Sequence, residues 1–194
     1  MGVAGVVLFP GAGSSADHPS LRALEEALSP LPVARIDFPY RRQGRRAPDR
    51  APVLLQCVRE EVAAFAESCG VPTSSLVIGG RSMGGRMCSM AVADADDPLP
   101  VAGLLLISYP LHPPGKPEKL RTEHLSRITV PTLCISGTRD SFGTPEELTA
   151  GFPPRDNMRW HWVEKGRHEL AGADAEIAVT AADWVRSFPA DGRR

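Results

Sequence analysis

The sequence predicts an α/β fold: a mostly parallel sheet of about six strands with helices on both faces. Three observations carry that expectation. Short continuous apolar runs recur along the chain, as strands buried on both faces require. Between them lie stretches whose apolar residues repeat every three or four positions, as crossover helices do. The polar residues fit for chemistry fall directly after the apolar runs, where open parallel sheets hold their ligands.

Gly5-Val6-Val7-Leu8-Phe9 reads as a buried strand closed by the loop Pro10-Gly11-Ala12-Gly13. From Ser20 to Ser29, Leu21, Leu24 and Leu28 recur at helical spacing; Ser20 is the expected N-cap, and Pro30 and Pro32 stop the pattern. Val33 to Phe38 reads as a second strand ended by Pro39, followed by a strongly basic, solvated loop, Arg41 to Arg46. Pro52 to about Ser68 is the clearest helix: Leu54, Leu55, Val58, Val62 and Phe65 share a face, and Gly70 lies just past the end. A third strand begins at Leu76, and a helix runs from Met83 to about Ala93. Gly103 to Ile107 and Thr132 to Ser136 are two more buried strands, whereas Trp160 to Glu164 alternates as an edge strand would. Pro110 to Pro117 carries too many prolines for helix or central strand and is the only room for a lid; Glu118 to Arg127 is long enough for a short helix. A closing helix from Asp174 to Phe188 would turn Ile177, Ala181, Trp184, Val185 and Phe188 to the sheet.

At 194 residues the chain fits a single domain, 1–194. Its net charge of −1 gives no global field toward nucleic acid or an anionic membrane, so a small molecule is the expected partner. Oligomeric state is left open. Cys57, Cys69, Cys88 and Cys134 form no Cys-x-x-Cys pair and fall in apparent helix or strand interiors, so they read as reduced and buried. On the predicted helix Cys57 and Cys69 stand roughly 18 Å apart, beyond disulfide reach. The N-terminus lacks the marks of a signal peptide and no apolar run spans a bilayer, which predicts a cytoplasmic location. Neither Gly-x-Gly-x-x-Gly between strand and helix nor Gly-Lys-Ser/Thr occurs, which disfavours a nucleotide site, and the chemistry read below implies no metal or organic cofactor.

The run Leu76-Val77-Ile78-Gly79-Gly80-Arg81-Ser82-Met83-Gly84-Gly85 ends a strand in Gly-x-Ser-x-Gly and opens a helix. A serine on so sharp a turn needs small neighbours, which Gly80 and Gly84 supply, and the helix N-terminus suits developing negative charge beside the serine oxygen. After the Thr132 strand comes Asp140, and after the Trp160 strand His168. Ser, Asp, His is the chain order of an α/β-hydrolase triad, with each member in a loop after a strand. A serine is a weak nucleophile until an imidazole takes its proton and a carboxylate holds that imidazole. No carboxylate follows the Gly103 strand at Ser108-Tyr109-Pro110, which favours Asp140 as the acid; Glu164 and Glu169 flank the histidine instead. His161 lies within a strand, His112 and His124 in or near the proline-rich segment, and His18 near the first loop, so His168 is the expected base. The oxyanion donors are expected to be the N–H groups of Met83 and Ala12. Arg81, Arg86 and the Arg41 to Arg46 loop would make the pocket positive and favour an anionic substrate, although solvation of the surface is the better account of the loop and an equal one for Arg81.

These segments resemble a group of small α/β-hydrolase proteins related to the dienelactone-hydrolase-like enzymes. The resemblance rests on Pro10-Gly11-Ala12-Gly13, Phe38-Pro39-Tyr40, Gly79 to Arg86, Tyr109 to Leu125 and Gly137 to Thr144. It implies a minimal α/β-hydrolase fold with little or no cap, and Ser82, Asp140 and His168 at the triad positions, with Gly11, Tyr40 and Arg81 beside the substrate. Pro10 departs from the group's usual histidine and Ser141 from its frequent proline. The implied activity is a serine hydrolase for a small ester or thioester. The alternative is a non-catalytic binding or scaffold module on the same fold.

Overall fold

Every apolar run named above is a strand in the computed structural model, which describes residues 2–189. The strands are β1 (Gly5–Phe9), β2 (Val33–Arg35), β3 (Leu76–Arg81), β4 (Gly103–Ile107), β5 (Thr132–Gly137) and β6 (Met158–Val163). They form one sheet in the order β2-β1-β3-β4-β5-β6, parallel at every pairing. The chain leaves β1 for β2 on one side and returns to β3 on the other, so the loops after β1 and β3 diverge across a topological switch point.

Alternation along the strands divides the core into two layers. Val7, Phe9, Ile78, Leu104, Leu106 and Cys134 pack against α3 (Ala51–Cys69) and α4 (Met83–Val92). Val6, Leu8, Val77, Leu105, Ile107 and Ile135 pack against α1 (Pro19–Leu28) and α6 (Asp174–Arg186). Because neighbours on a strand serve opposite layers, the central strands read as unbroken apolar runs. The edge strand β6 is only partly buried, and its Trp160 and Trp162 rings stack 5.0 Å apart.

Five details differ from the sequence reading, each for a local reason. His18, not Ser20, caps α1: its Nδ1 accepts from the Ser20 N–H at 3.2 Å, while Ser20 is buried within the first turn. β2 ends at Arg35, and after Phe38 the chain coils into a single turn, α2 (Pro39–Arg42), which buries Tyr40. Residues 118–127 form no α-helix, only a 3₁₀ turn at Leu125–Arg127, because the Arg121 backbone is taken up elsewhere: its N–H donates to the Leu111 carbonyl and its carbonyl accepts from Tyr109 Oη. A helix not foreseen, α5 (Pro145–Gly151), starts from a reciprocal cap in which Thr144 Oγ1 accepts from Glu147 N–H and Glu147 Oε2 accepts from Thr144 N–H. All four cysteines are free, but only Cys57, Cys88 and Cys134 are buried; Cys69, at the end of α3, is partly exposed. Burial pushes the Cys57 thiol up to about 11 and raises Cys88 and Cys134 as well, so these thiols stay protonated.

The proline-rich stretch is packed down only at its head, and Pro114 to Leu120 are exposed. Tyr109 and Leu111 are buried, and Tyr109 meets the Phe152 ring edge-on at 5.2 Å, which fastens the β4–β5 connection to the body of the sheet. Among the described residues, no helix is long and apolar enough to cross a membrane.

The elbow needs its glycines because α4 lies directly on β1. A Cβ at Gly80 would fall 1.9 Å, and at Gly84 2.3 Å, from the Phe9 carbonyl oxygen. Alanine is favoured over glycine within a helix by about 1 kcal/mol, so a free helix would gain from Gly84→Ala. Here the overlap dominates, and we expect a net loss of about 2 kcal/mol or more, read as a lower urea midpoint for G84A.

Candidate active site

Three strand ends meet at the carboxyl edge of the sheet. β3 delivers Ser82, held at φ 46°, ψ −113° by a hydrogen bond from its N–H to the Ile107 carbonyl at 2.8 Å, with α4 starting at the next residue. A side chain in that backbone region stores strain, and the turn lifts Oγ clear of the sheet. β5 delivers Asp140 and β6 the loop bearing His168. These two loops are laced together: Thr138 N–H donates to the Val163 carbonyl, Arg139 N–H to the Gly166 carbonyl, and Lys165 N–H to Thr138 Oγ1. Lys165 and Leu170, on either side of His168, both carry positive φ.

The result is a continuous polar chain. His168 Nε2 lies 2.9 Å from Ser82 Oγ, and His168 Nδ1 lies 2.8 and 3.0 Å from the two Asp140 carboxylate oxygens. Asp140 is buried and also accepts from the Phe142 N–H at 2.8 Å. The Phe142 ring stacks on the His168 imidazole with centroids 3.9 Å apart. Sequence reasoning missed Phe142; the signal was an aromatic two residues past the acid.

Met83, as the first residue of α4, has no carbonyl within its own helix to bond. The Ala12 N–H has no backbone acceptor among the described residues, while its carbonyl accepts from Tyr40 Oη at 2.8 Å. Ala12, Met83, Gly11 and Ser82 line one cavity of about 680 Å³, which also takes in His18, Arg86, Arg121 and Phe142. That volume suits a small organic molecule.

Two expected substrate contacts change character. Tyr40 is fully buried under the β1 loop and stands outside the cavity wall; its hydroxyl braces the Ala12 carbonyl rather than facing a ligand. Arg81 reaches the wall, yet its guanidinium is buried and its Nη2 is occupied by the His168 and Glu169 carbonyls at 3.3 and 3.1 Å and the Glu169 carboxylate at 3.5 Å. Burial lowers its pKa, opposed by Glu169, Asp174 and Asp140. Arg81 thus holds the histidine loop. The Arg41 to Arg46 run lies away from the cavity, with Arg42 paired to Glu61 and Arg45 to Asp49.

A second serine–histidine contact needs separating from the first. Ser89 Oγ lies 2.7 Å from His124 Nε2, but both are buried, neither lines the cavity, and among the described residues no carboxylate holds the imidazole. It is an internal brace between α4 and the β4–β5 connection. His112 and His161 pair with Glu147 and Glu176, away from the cavity. Among the described residues no group of His, Cys, Asp and Glu side chains is placed to hold a metal ion.

Fold and geometry agree with the comparisons with known proteins. The chain belongs to the alpha/beta hydrolase domain family, whose model matches residues 3–186. It is similar in structure to Est1E from Butyrivibrio proteoclasticus, solved with ferulic acid bound: TM-score 0.76, 15% identity, covering 98% of this chain and 91% of that one. It is similar also to a dienelactone hydrolase from Anabaena variabilis, with TM-score 0.71, 22% identity and coverage of 96% and 88%. A serine hydrolase without a lid from Xanthomonas campestris matches with TM-score 0.70 at 16% identity, covering 96% and 84%. At such identities these likenesses establish the fold.

His124 makes stability depend on pH. Burial, then the charges of Arg86 and Arg127, push its pKa down to about 4 from the ordinary 6.5. Above 6.5 the ring is neutral in both folded and unfolded chains, and its contribution is complete. Below 6.5 the unfolded chain binds a proton that the folded one refuses, so stability falls until about pH 4, by at most about 3 kcal/mol. Urea unfolding of wild type and His124→Gln should therefore show the stability gap between them narrowing from pH 7 to pH 4.5; a gap constant across that range would contradict the assignment.

Proposed function

We propose that the protein is a serine hydrolase that cleaves a small carboxylic ester or thioester through an acyl-enzyme on Ser82. The observation that carries this reading is the unbroken Ser82–His168–Asp140 chain opening into the cavity. Ser82 Oγ attacks the carbonyl carbon while its proton passes to His168 Nε2. Asp140, bonded to Nδ1–H, fixes the tautomer and stabilises the imidazolium. The carbonyl oxygen, now an oxyanion, takes the N–H groups of Met83 and Ala12, and the positive end of α4 adds to their effect. Collapse of the adduct expels the alkoxide or thiolate, which takes the proton from Nε2. Water then repeats the sequence: it loses a proton to His168, attacks the acyl carbon and releases the acid as Ser82 recovers its proton.

The reaction needs no cofactor, and the partner it implies is a small molecule rather than nucleic acid or a membrane. Four free thiols fit a reducing, cytoplasmic compartment.

Ser82→Ala should lower turnover of p-nitrophenyl butyrate by at least about a thousandfold. Its melting temperature should stay within about 2 °C of wild type, because one hydroxyl at the cavity wall is lost and the backbone turn is kept. A fluorophosphonate probe should label wild type at Ser82 and leave S82A unlabelled. A scaffold module would instead show no labelling and no difference in turnover between the two proteins, which would sink the reading.

A further inference from the structure

The acyl-transfer chemistry leaves two residues of the cavity wall without a task. Arg86 lies one turn along α4 from Ser82, its N–H donating to the Ser82 carbonyl at 3.0 Å. Arg121 comes from the β4–β5 connection and is firmly seated. Its carbonyl accepts from Tyr109 Oη at 2.7 Å, its N–H donates to the Leu111 carbonyl at 2.8 Å, and its Nη1 donates to the Pro110 carbonyl at 3.2 Å. Both arginines line the cavity that holds Ser82 and His168.

Neither has a carboxylate partner among the described residues, whereas Arg35, Arg42, Arg45, Arg59, Arg81 and Arg186 all do. The Arg86 Nε is shut away from solvent with no acceptor. The two cations also feel each other: burial, then the charge of Arg86, lowers the Arg121 pKa. The wall does hold one carboxylate, Glu169, but it is largely exposed and is engaged by Arg81. Two like charges facing one void carry a cost that an oxyanion in the void would remove.

We propose that Arg86 and Arg121 form an anion subsite, so that the ester or thioester cleaved at Ser82 carries a carboxylate or a phosphate on its acyl chain. This inference rests on the acyl-transfer reading above. Planar guanidinium groups give paired N–H donors to either anion, and at this place they would hold the charged end while the carbonyl meets Ser82.

The test compares monoethyl succinate with ethyl butyrate, whose acyl chains are alike except for the terminal carboxylate. In wild type, kcat/KM for the charged ester should exceed that for the neutral one at least about tenfold, and Arg86→Gln and Arg121→Gln should each lower the ratio about tenfold or more. R86K should recover part of it, since the charge returns without the fork. Arg46→Gln, on the exposed basic loop, should leave the ratio unchanged. Isothermal titration of S82A with succinate and with inorganic phosphate should show binding that weakens about tenfold in S82A/R86Q, and the tighter of the two identifies which anion the subsite takes. A wild-type ratio near one, or a ratio indifferent to R86Q and R121Q, would overturn the subsite. Arginine-dependent anion binding in a protein that hydrolyses neither ester would uphold the subsite and overturn the acyl-transfer reading.

Discussion

A buried cation holds this site together. Arg81 closes β3, one residue before the nucleophile candidate, and its guanidinium reaches across to the carbonyls of His168 and Glu169 while also approaching Ser20 Oγ at the head of α1. Removing a guanidinium from water costs several kcal/mol unless its donors find acceptors. Here the acceptors are the backbone of the histidine loop. That loop must therefore stay where the charge needs it, which is where Nε2 meets Ser82 Oγ at 2.9 Å. The strained backbone at Lys165 and Leu170 is tolerable for the same reason: the surroundings over-determine the conformation.

The remaining restraints act from the opposite direction. Hydrogen bonds between the loops after β5 and β6 set the separation of Asp140 and His168, and the Phe142 ring, one side of the imidazole, limits its rotation. Below the nucleophile, Gly80 and Gly84 allow α4 to descend onto the Phe9 carbonyl, which brings the Met83 N–H alongside the loop that carries Ala12. Tyr40 fastens that loop from underneath. The anchors come from the ends of β1, β2, β3, β5 and β6, so the polar chain is a product of the sheet order rather than of any single motif.

This explains what could be read in advance. The strands were legible because each central one is buried on both faces and must be apolar throughout; β1 and β4 run over the stretches that their composition marks out. Ser82, Asp140 and His168 were legible as residues that follow strands. What composition could not reveal is where a long polar side chain spends its donors. Tyr40, in Phe38-Pro39-Tyr40, and Arg81, in the glycine-flanked elbow, read as substrate contacts, yet tertiary acceptors 28 and 87 residues away claim them. The segment 118–127 failed as a helix for a similar reason, since Tyr109 and Leu111 offer the Arg121 backbone better-placed partners than its own chain. α5 was different: Thr144-Pro145-Glu146-Glu147 announces a capped helix start, and its signature was present to be read.

The elbow therefore contains two arginines with opposite fates. Arg81, inside the turn, is pulled toward the α1 and α6 side of the sheet and its donors are consumed by backbone. Arg86, five residues later and a turn up α4, lines the cavity and lies in the field of another arginine, with no carboxylate paired to it among the described residues. Were Arg86 there merely to keep the surface hydrated, its placement with a second cation, Arg121, on one cavity wall would be a cost with no return. An exposed cation escapes that cost by turning to water, as Arg46 does on its loop. Arg86 is held at the cavity wall beside Ser82 instead, and the group that would complete it is one the protein itself does not provide.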